Sequence, residues 1–504
     1  MRASGILLPV FSLPSAYGIG CFSKAAYDFI DRLSASRQHY WQILPLGPAG
    51  GWDSPYQPLS CFAGDPLYID PDTLYQKKLL HKNELPPKRE GSDYNSYVDY
   101  NTLRAERRSM LQKAFSRFKP DADYETFYEE NAWWLLNYAL YVILREATGG
   151  ASHHQWTKPY RMRDPKALDY FARTHEEEIR YIYWTQYEFF REWEQILQYA
   201  HTKNVEVIGD IPIYVSPDST ECWAEPKNFQ LDKNLKPRAV AGCPPDGFAP
   251  DGQKWGNPLY SWTRMEADGF SWWKLRLRQC FKMYDLIRID HTRGFQAYFS
   301  IPNDGPASEG HWRKGPGMHF FREIEKEFGS GRFIAEDLGH ITPGVRRMVR
   351  EAKLPGMKVL QFAFDGNPKN PYLPGNFDAH CVIYTGTHDN DTTRGWYASL
   401  DYGTRKQVTH FIRSIRRGSS RQYEKAPAYG ASQAARELIS VAFHSDAEIC
   451  IIPIQDHLLL DTTARVNTPG TVGGRNWQWR MQPDAFSDEL VSYLVNLAMK
   501  SERC

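Results

Sequence analysis

The chain has 504 residues, and its 61 Lys and Arg balance 60 Asp and Glu to a formal net charge of +1. That balance gives no electrostatic footprint for nucleic acid or for an anionic membrane surface, and it suits a neutral partner. Hydrophobic residues at 42% and charged residues at 24% are ordinary for a globular protein, no apolar run is long enough to span a membrane, and the first residues lead into a strand rather than a signal peptide.

Residues 6–10 and 40–46 are the first strand candidates, separated by an amphipathic stretch at 23–37. About 150 residues precede the third strand, 205–215, far more than a βα connection needs. Most of that interval, roughly 47–175, reads as a helical insertion. Within it Glu129 to Ala147 is apolar almost all round, with Trp133, Trp134, Leu135, Leu136, Tyr138, Leu140, Val142 and Leu144, which predicts a helix buried on every side. An amphipathic stretch at 176–202 leads into the third strand. A second insertion, roughly 216–270, is dense in Pro, Gly and Trp and lacks periodicity. Strands then follow at 283–290, 332–336, 357–364, 380–386 and 448–454, with amphipathic stretches at 271–282, 319–328 and 343–353 and a third, mainly helical insertion at roughly 387–445. Short, continuous apolar strands alternating with helices indicate a parallel sheet covered on both faces. The fold class expected is α/β, a (β/α)8 TIM barrel, with residues 1–504 forming one catalytic domain that carries three inserted subdomains.

The eight cysteines are scattered and include no C-x-x-C pair. Neither a zinc site nor a disulfide framework is expected, and the usage suits a reducing cytoplasm. No clustered carboxylate loop calls for calcium, so no metal and no cofactor are expected. Aromatic residues make up 14% of the chain. Most of them fill the core, but those in Gly/Pro-rich loops suit the apolar faces of sugar rings.

Three acidic signatures follow strand candidates: Arg288-Ile289-Asp290-His291, Ala335-Glu336-Asp337-Leu338-Gly339 and Thr387-His388-Asp389-Asn390-Asp391. Carboxylates at the C-terminal ends of barrel strands converge on one cleft, and glycosidic bond chemistry uses such a set, with two carboxyl groups about 5–5.5 Å apart in a retaining enzyme. Arg288 and Asp290 lie two apart on one strand and point to the same side, so the guanidinium favours an ionised Asp290, the nucleophile candidate. Glu336 has the reach of an acid, provided burial or neighbouring carboxylates raise its pKa. Asp337 points the other way, as a structural hydrogen-bond partner or helix cap. Any one of these residues alone could equally cap the following helix.

The chain resembles the amylomaltase (disproportionating enzyme) family of 4-α-glucanotransferases, in the α-amylase clan. The resemblance runs from Ser4-Gly5-Ile6-Leu7-Leu8-Pro9-Val10 and Tyr17-Gly18-Ile19-Gly20 through Gly51-Trp52-Asp53-Ser54-Pro55-Tyr56-Gln57 and Gly209-Asp210-Ile211-Pro212. It continues in Gly252-Gln253-Lys254-Trp255-Gly256-Asn257-Pro258 and the three acidic signatures, and ends near Asn467-Thr468-Pro469-Gly470-Thr471. It implies Asp290 as nucleophile, Glu336 as general acid/base and Asp389 as the third carboxylate, with His388 beside it on the same sugar. It also implies substrate contacts for Tyr56, Asp246, Gln253, Trp255, Asp365 and Asn467. Asp365 and Asn467 also read as turn formers, and Asp210 either organises the barrel mouth or touches substrate. The chain departs from the family pattern at Gly247 and Lys254. The implied partners are α-1,4-glucan donors and acceptors. A hydrolase would share the same carboxylates, and a non-catalytic glucan-binding protein would have lost them.

Overall fold

The computed structural model describes residues 2–245, 251–339, 341–417 and 427–503. Eight strands, β1 (Ala3–Leu7), β2 (Tyr40–Gln42), β3 (Glu206–Pro212), β4 (Leu286–Asp290), β5 (Phe333–Ala335), β6 (Gly356–Val359), β7 (Cys381–Tyr384) and β8 (Ile449–Pro453), form a closed barrel in chain order, in which β8 returns to β1. The pairings are parallel throughout. The strands are short runs buried on both faces, which is why the sequence shows them as continuous apolar stretches. Leu7, Ile208, Ile334, Met357, Val359, Val382, Tyr384 and Ile451 fill the interior, while larger clusters lie between the strands and the surrounding helices.

Each of the eight strand candidates corresponds to one barrel strand, with shifted ends. The first strand is Ala3–Leu7 rather than 6–10, because Pro9 lacks an amide hydrogen and the chain turns into a 3-10 helix at Val10–Ser12. The sixth ends at Val359, where Leu360–Phe362 forms another 3-10 turn.

The helices outside the barrel follow the amphipathic stretches. Lys24–Ala35 starts at Ser23, whose side chain accepts from the Ala25 amide, and it buries Ala26, Phe29, Ile30 and Leu33 at helical spacing. Glu176–Thr202 begins with Glu176, Glu177 and Glu178, which oppose the positive end of the helix dipole. Against it packs Ala122–Ala147 from the first insertion. That long helix buries Trp134, Leu135, Tyr138 and Tyr141, but Trp133 and Leu136 are each 43% exposed. The expectation of a helix buried all round is therefore corrected: the helix rests on its neighbours along one side and shows apolar residues on the other. The third insertion is mainly helical, with Thr393–Ser399, Tyr402–Arg417 and Ala431–His444.

The second insertion is more regular than its composition suggests. Ala239–Cys243 and Gln253–Pro258 pair antiparallel and join Ala297–Pro302 and His311–Lys314 in a four-stranded sheet. This sheet stands over the C-terminal end of the barrel and carries Trp255. Among the described residues no helix is long and apolar enough to cross a membrane.

Candidate active site

The centre of the site is Arg288 on β4, whose side chain is only 4% exposed. Barrel register sets Arg288 beside Asp210 of β3. Its Nη1 donates to Asp210 Oδ2 at 2.6 Å and to Asp290 Oδ1 at 3.3 Å. The pairing read from the sequence, Arg288 with Asp290, is present, but the shorter bond goes to Asp210. Tyr56, in the loop after β2, donates its hydroxyl to Asp210 Oδ2 at 2.8 Å and lies 2.9 Å from His388 Nε2. A hydroxyl has one proton, so with that proton on Asp210 the Tyr56 oxygen accepts from a protonated Nε2 of His388. Burial holds the His388 pKa below its ordinary value, against the pull of Asp389, so the ring is neutral at pH 7. The Tyr56 and His388 rings stack at 5.2 Å, and Trp477 is tilted against both.

Glu336 follows β5. Its Oε2 accepts from the His291 amide and its Oε1 from the Leu338 amide, both at 2.8 Å. The first bond depends on a turn at the end of β4, where His291 takes φ 52° and ψ 44°. A side chain is strained in this left-handed region, and such strain clusters at functional sites. Asp337 points away, accepts from the Met357 amide at 2.8 Å and lies against Gly356, where a Cβ would come within 2.7 Å of its carboxylate. It is the structural partner that strand alternation predicts.

Asp389 is the most open of the carboxylates, with a side chain 45% exposed. Asn467 Nδ2 donates to its Oδ1 at 2.7 Å, and Arg465 Nη2 donates to its backbone carbonyl at 2.7 Å. Asn467 is thus more than a turn former, because it fixes the orientation of this carboxylate.

Asp290 and Glu336 share one buried electrostatic environment. Burial, then Asp210, Glu336 and Asp389, push Asp290 well above the usual carboxylate range, and Arg288 opposes them. Burial also raises Glu336, against Arg288 and the two amides that bond it. The direction is the one an acid at this position needs. The rise of Asp290 runs against the ionised state that its pairing with Arg288 predicts, because the site is buried and the guanidinium gives its shorter bond to Asp210.

Trp255 sets its ring edge-on to His291 at 4.8 Å, and its Nε1 donates to Gln253 Oε1 at 3.0 Å. Lys254 points to the other side and ties this strand to the carbonyls of Asn303 and Gly305. Asp365 is exposed and its Oδ1 accepts from the Asn367 amide at 2.9 Å, a local turn with no described bond to the carboxylate group. Asp246, with Gly247, lies outside the described residues. Among the described residues no three or more His, Cys, Asp or Glu side chains are grouped to hold a metal ion. The sequence reading missed Trp477, Arg465 and the amide of His291. Trp477 and Arg465 stand in a loop with no periodicity, and a backbone amide leaves no residue-type signal at all.

A strand-end carboxylate set with a neutral His, a buried Arg and an aromatic wall suits a retaining attack at an anomeric carbon. Residues 8–486 match the glycoside hydrolase family 77 model, described as 4-alpha-glucanotransferase. A 4-alpha-glucanotransferase of Thermus thermophilus is 42% identical over 100% of this chain and 99% of its own, and one of Clostridium butyricum is 40% identical over 98% and 99%. The amylomaltase of Streptococcus agalactiae, solved in complex with acarbose, superposes with a TM-score of 0.92 at 33% identity, covering both chains completely.

Proposed function

The chain belongs to glycoside hydrolase family 77 and is a 4-alpha-glucanotransferase, and from that premise we propose that it works by double displacement through a glycosyl ester on Asp290. Asp290 attacks C1 of the donor glucose while Glu336 gives its proton to the departing O4, so the leaving glucan carries away a hydroxyl. Glu336, now a carboxylate, takes the proton of an acceptor 4-hydroxyl. The acceptor oxygen then attacks C1, releases Asp290 and restores the α-1,4 bond. Asp389 and His388 hold hydroxyls of the sugar being distorted. Arg288, fixed by Asp210, which Tyr56 bonds in turn, keeps Asp290 aligned. The observation that carries this reading is the placement at the centre: Asp290 lies 3.3 Å from the Arg288 guanidinium, and Glu336, at the end of the neighbouring strand, is oriented by the His291 and Leu338 amides.

Maltooligosaccharides serve as donor and acceptor, and the whole chain is read as one catalytic barrel with inserted subdomains. Acarbose, the ligand of the Streptococcus agalactiae enzyme, should occupy the same cleft here. A cytoplasmic location is supported by the seven described cysteines, all of them free thiols. Transfer outcompetes hydrolysis because a bound, oriented acceptor reaches the ester before water does, and Trp255 on the overhanging sheet helps to hold it. Two experiments test the reading. Maltotriose should yield glucose and a ladder of longer glucans with almost no net gain in reducing ends; a steady rise in reducing ends with only shorter products would mean a hydrolase. Glu336→Gln given a glycosyl fluoride, which needs no protonation to leave, should accumulate a glycosyl adduct on Asp290 by mass spectrometry. An adduct on another residue would reassign the nucleophile.

A further inference from the structure

We propose that Asp456, a buried residue outside the carboxylate set, is a positioning residue for the transfer: its carboxylate ties together both ends of the segment that carries His388 and Asp389. This rests on the reading of those two residues as sugar contacts. Asp456 lies one turn beyond β8, in the short helix Ile454–His457, and is 1% exposed. Its Oδ2 accepts from the hydroxyls of Thr385 and Thr393, and its Oδ1 accepts from the Thr393 amide, each at 2.6 Å. Thr385 is the first residue after β7, and Thr393 opens the helix Thr393–Ser399. Both are fully buried. Everything between them is thus a loop closed at its base on one carboxylate.

The same stretch of chain after β8 holds the rest of that loop. Thr462 Oγ1 donates to Asp391 Oδ2 at 2.8 Å, Arg465 to the Asp389 carbonyl at 2.7 Å, and the Asn467 amide to the His388 carbonyl at 3.1 Å. Residues 456–467 therefore act as a template on which the loop is laid, with Asp456 bonded to both of its ends; Gln361 also reaches both, through the Thr385 carbonyl at 3.2 Å and the Thr393 hydroxyl at 3.4 Å. An anionic acceptor bonded by three donors holds them more strongly than a neutral one would. Burial raises the Asp456 pKa above the ordinary carboxylate value, and the three donors oppose that rise. A carboxamide would weaken this anchor: with its oxygen on the Thr393 amide, its NH2 group faces two hydroxyls that must turn round and accept, and the charge-assisted bonds are lost.

The test uses the full-length enzyme with maltotriose. Asp456→Asn should keep its circular dichroism and lose about a hundredfold in kcat with a much smaller change in KM, since displacing the loop by an ångström misplaces groups that act on the distorted ring. A double-mutant cycle separates positioning from plain destabilisation. In an Asp389→Asn background, where the positioned group is already disabled, adding Asp456→Asn should cost no more than about threefold. An undiminished, multiplicative loss in that background, or an Asp456→Asn enzyme with wild-type kcat, overturns the inference. If Asp456→Asn does not fold, Thr393→Val, which removes one of the three donors, carries the same cycle with the same two outcomes. Wild-type turnover in the Asp389→Asn single variant would instead overturn the sugar-holding role on which the inference rests, and that result is read before the cycle is built.

Discussion

Replacing Arg288 with Met tests the electrostatic core of the site. The side chain keeps its approximate volume but loses the charge that faces Asp210 and Asp290. Asp210 is fully buried and receives its 2.6 Å bond from this guanidinium, so the substitution strands a buried charge. Removing one member of a buried pair costs roughly 3–5 kcal/mol. The remaining bond from Tyr56, at 2.8 Å, keeps the expected loss toward the lower end. The sign of the pH dependence follows from the same geometry. An uncompensated carboxylate is relieved by taking up a proton, so the deficit relative to wild type should be largest above neutral pH and shrink toward pH 5. Arg288 also opposes the upward push on Asp290. Without it that push is unopposed, and the acidic limb of any residual activity should move to higher pH. Urea unfolding of both proteins, followed by tryptophan fluorescence at acidic and alkaline pH, measures the deficit. A deficit below about 1 kcal/mol, the scale of an exposed ion pair, or one that does not change with pH, would refute the reasoning.

Tyr56→Phe deletes the hydroxyl shared by Asp210 and His388; kcat/KM for maltotriose should fall at least about tenfold with an unchanged fold, at about 1–3 kcal/mol for an orphaned buried group, and an unaffected rate would remove Tyr56 from the network. Asp290→Asn should fold normally and lose nearly all turnover, because an amide cannot form the ester; a tenth or more of wild-type rate in protein free of contaminating enzyme would exclude Asp290 as nucleophile. Trp255→Ala should raise the hydrolytic fraction, measured as reducing ends gained per transfer, and an unchanged ratio would relieve Trp255 of any acceptor role. His457 is buried without a hydrogen-bond partner and burial lowers its pKa from 6.5 to about 3. The folded state therefore resists its protonation, and stability that is complete above pH 6.5 should be lost progressively as pH falls toward 3. His457→Leu should flatten that decline in thermal melts, and an identical decline in both proteins would show that other groups cause it.

The barrel was legible because a parallel strand covered on both faces needs an unbroken apolar run, and eight such runs stand out in this chain. The end of β1 was misjudged because Leu8 and Val10 are as apolar as the strand itself, and only the missing amide of Pro9 stops the pairing. The sheet carrying Trp255 was hidden for the opposite reason. Its strands are short, and the exposed edge His311–Lys314 has no alternation to read. Trp133 and Leu136 misled because an apolar side chain does not report whether a neighbour covers it. In the site, Asp290, Glu336 and Asp389 were readable from their place at strand ends. That Arg288 divides its charge between Asp210 and Asp290 was not, since the division depends on register between β3 and β4. Nothing in the local pattern marked Asp456, whose partners are 71 and 63 residues away.

The pairing of Ala3–Leu7 with Ile449–Pro453 has a bearing on how the molecule is made. The barrel's first strand can pair with β2 early in synthesis, but its other edge has no partner until β8 has left the ribosome. Through most of translation the nascent sheet is an open, apolar fan with two bare edges, the kind of surface that recruits other chains. Closure joins residues distant in sequence and pays its loop entropy late, so it should be a slow step of folding. The loop carrying His388 and Asp389 takes its shape from residues beyond β8, so the cleft cannot assemble before that seam closes. Activity should therefore emerge with the last step of folding, and a ribosome-bound chain lacking its final strand should be both inactive and prone to aggregate.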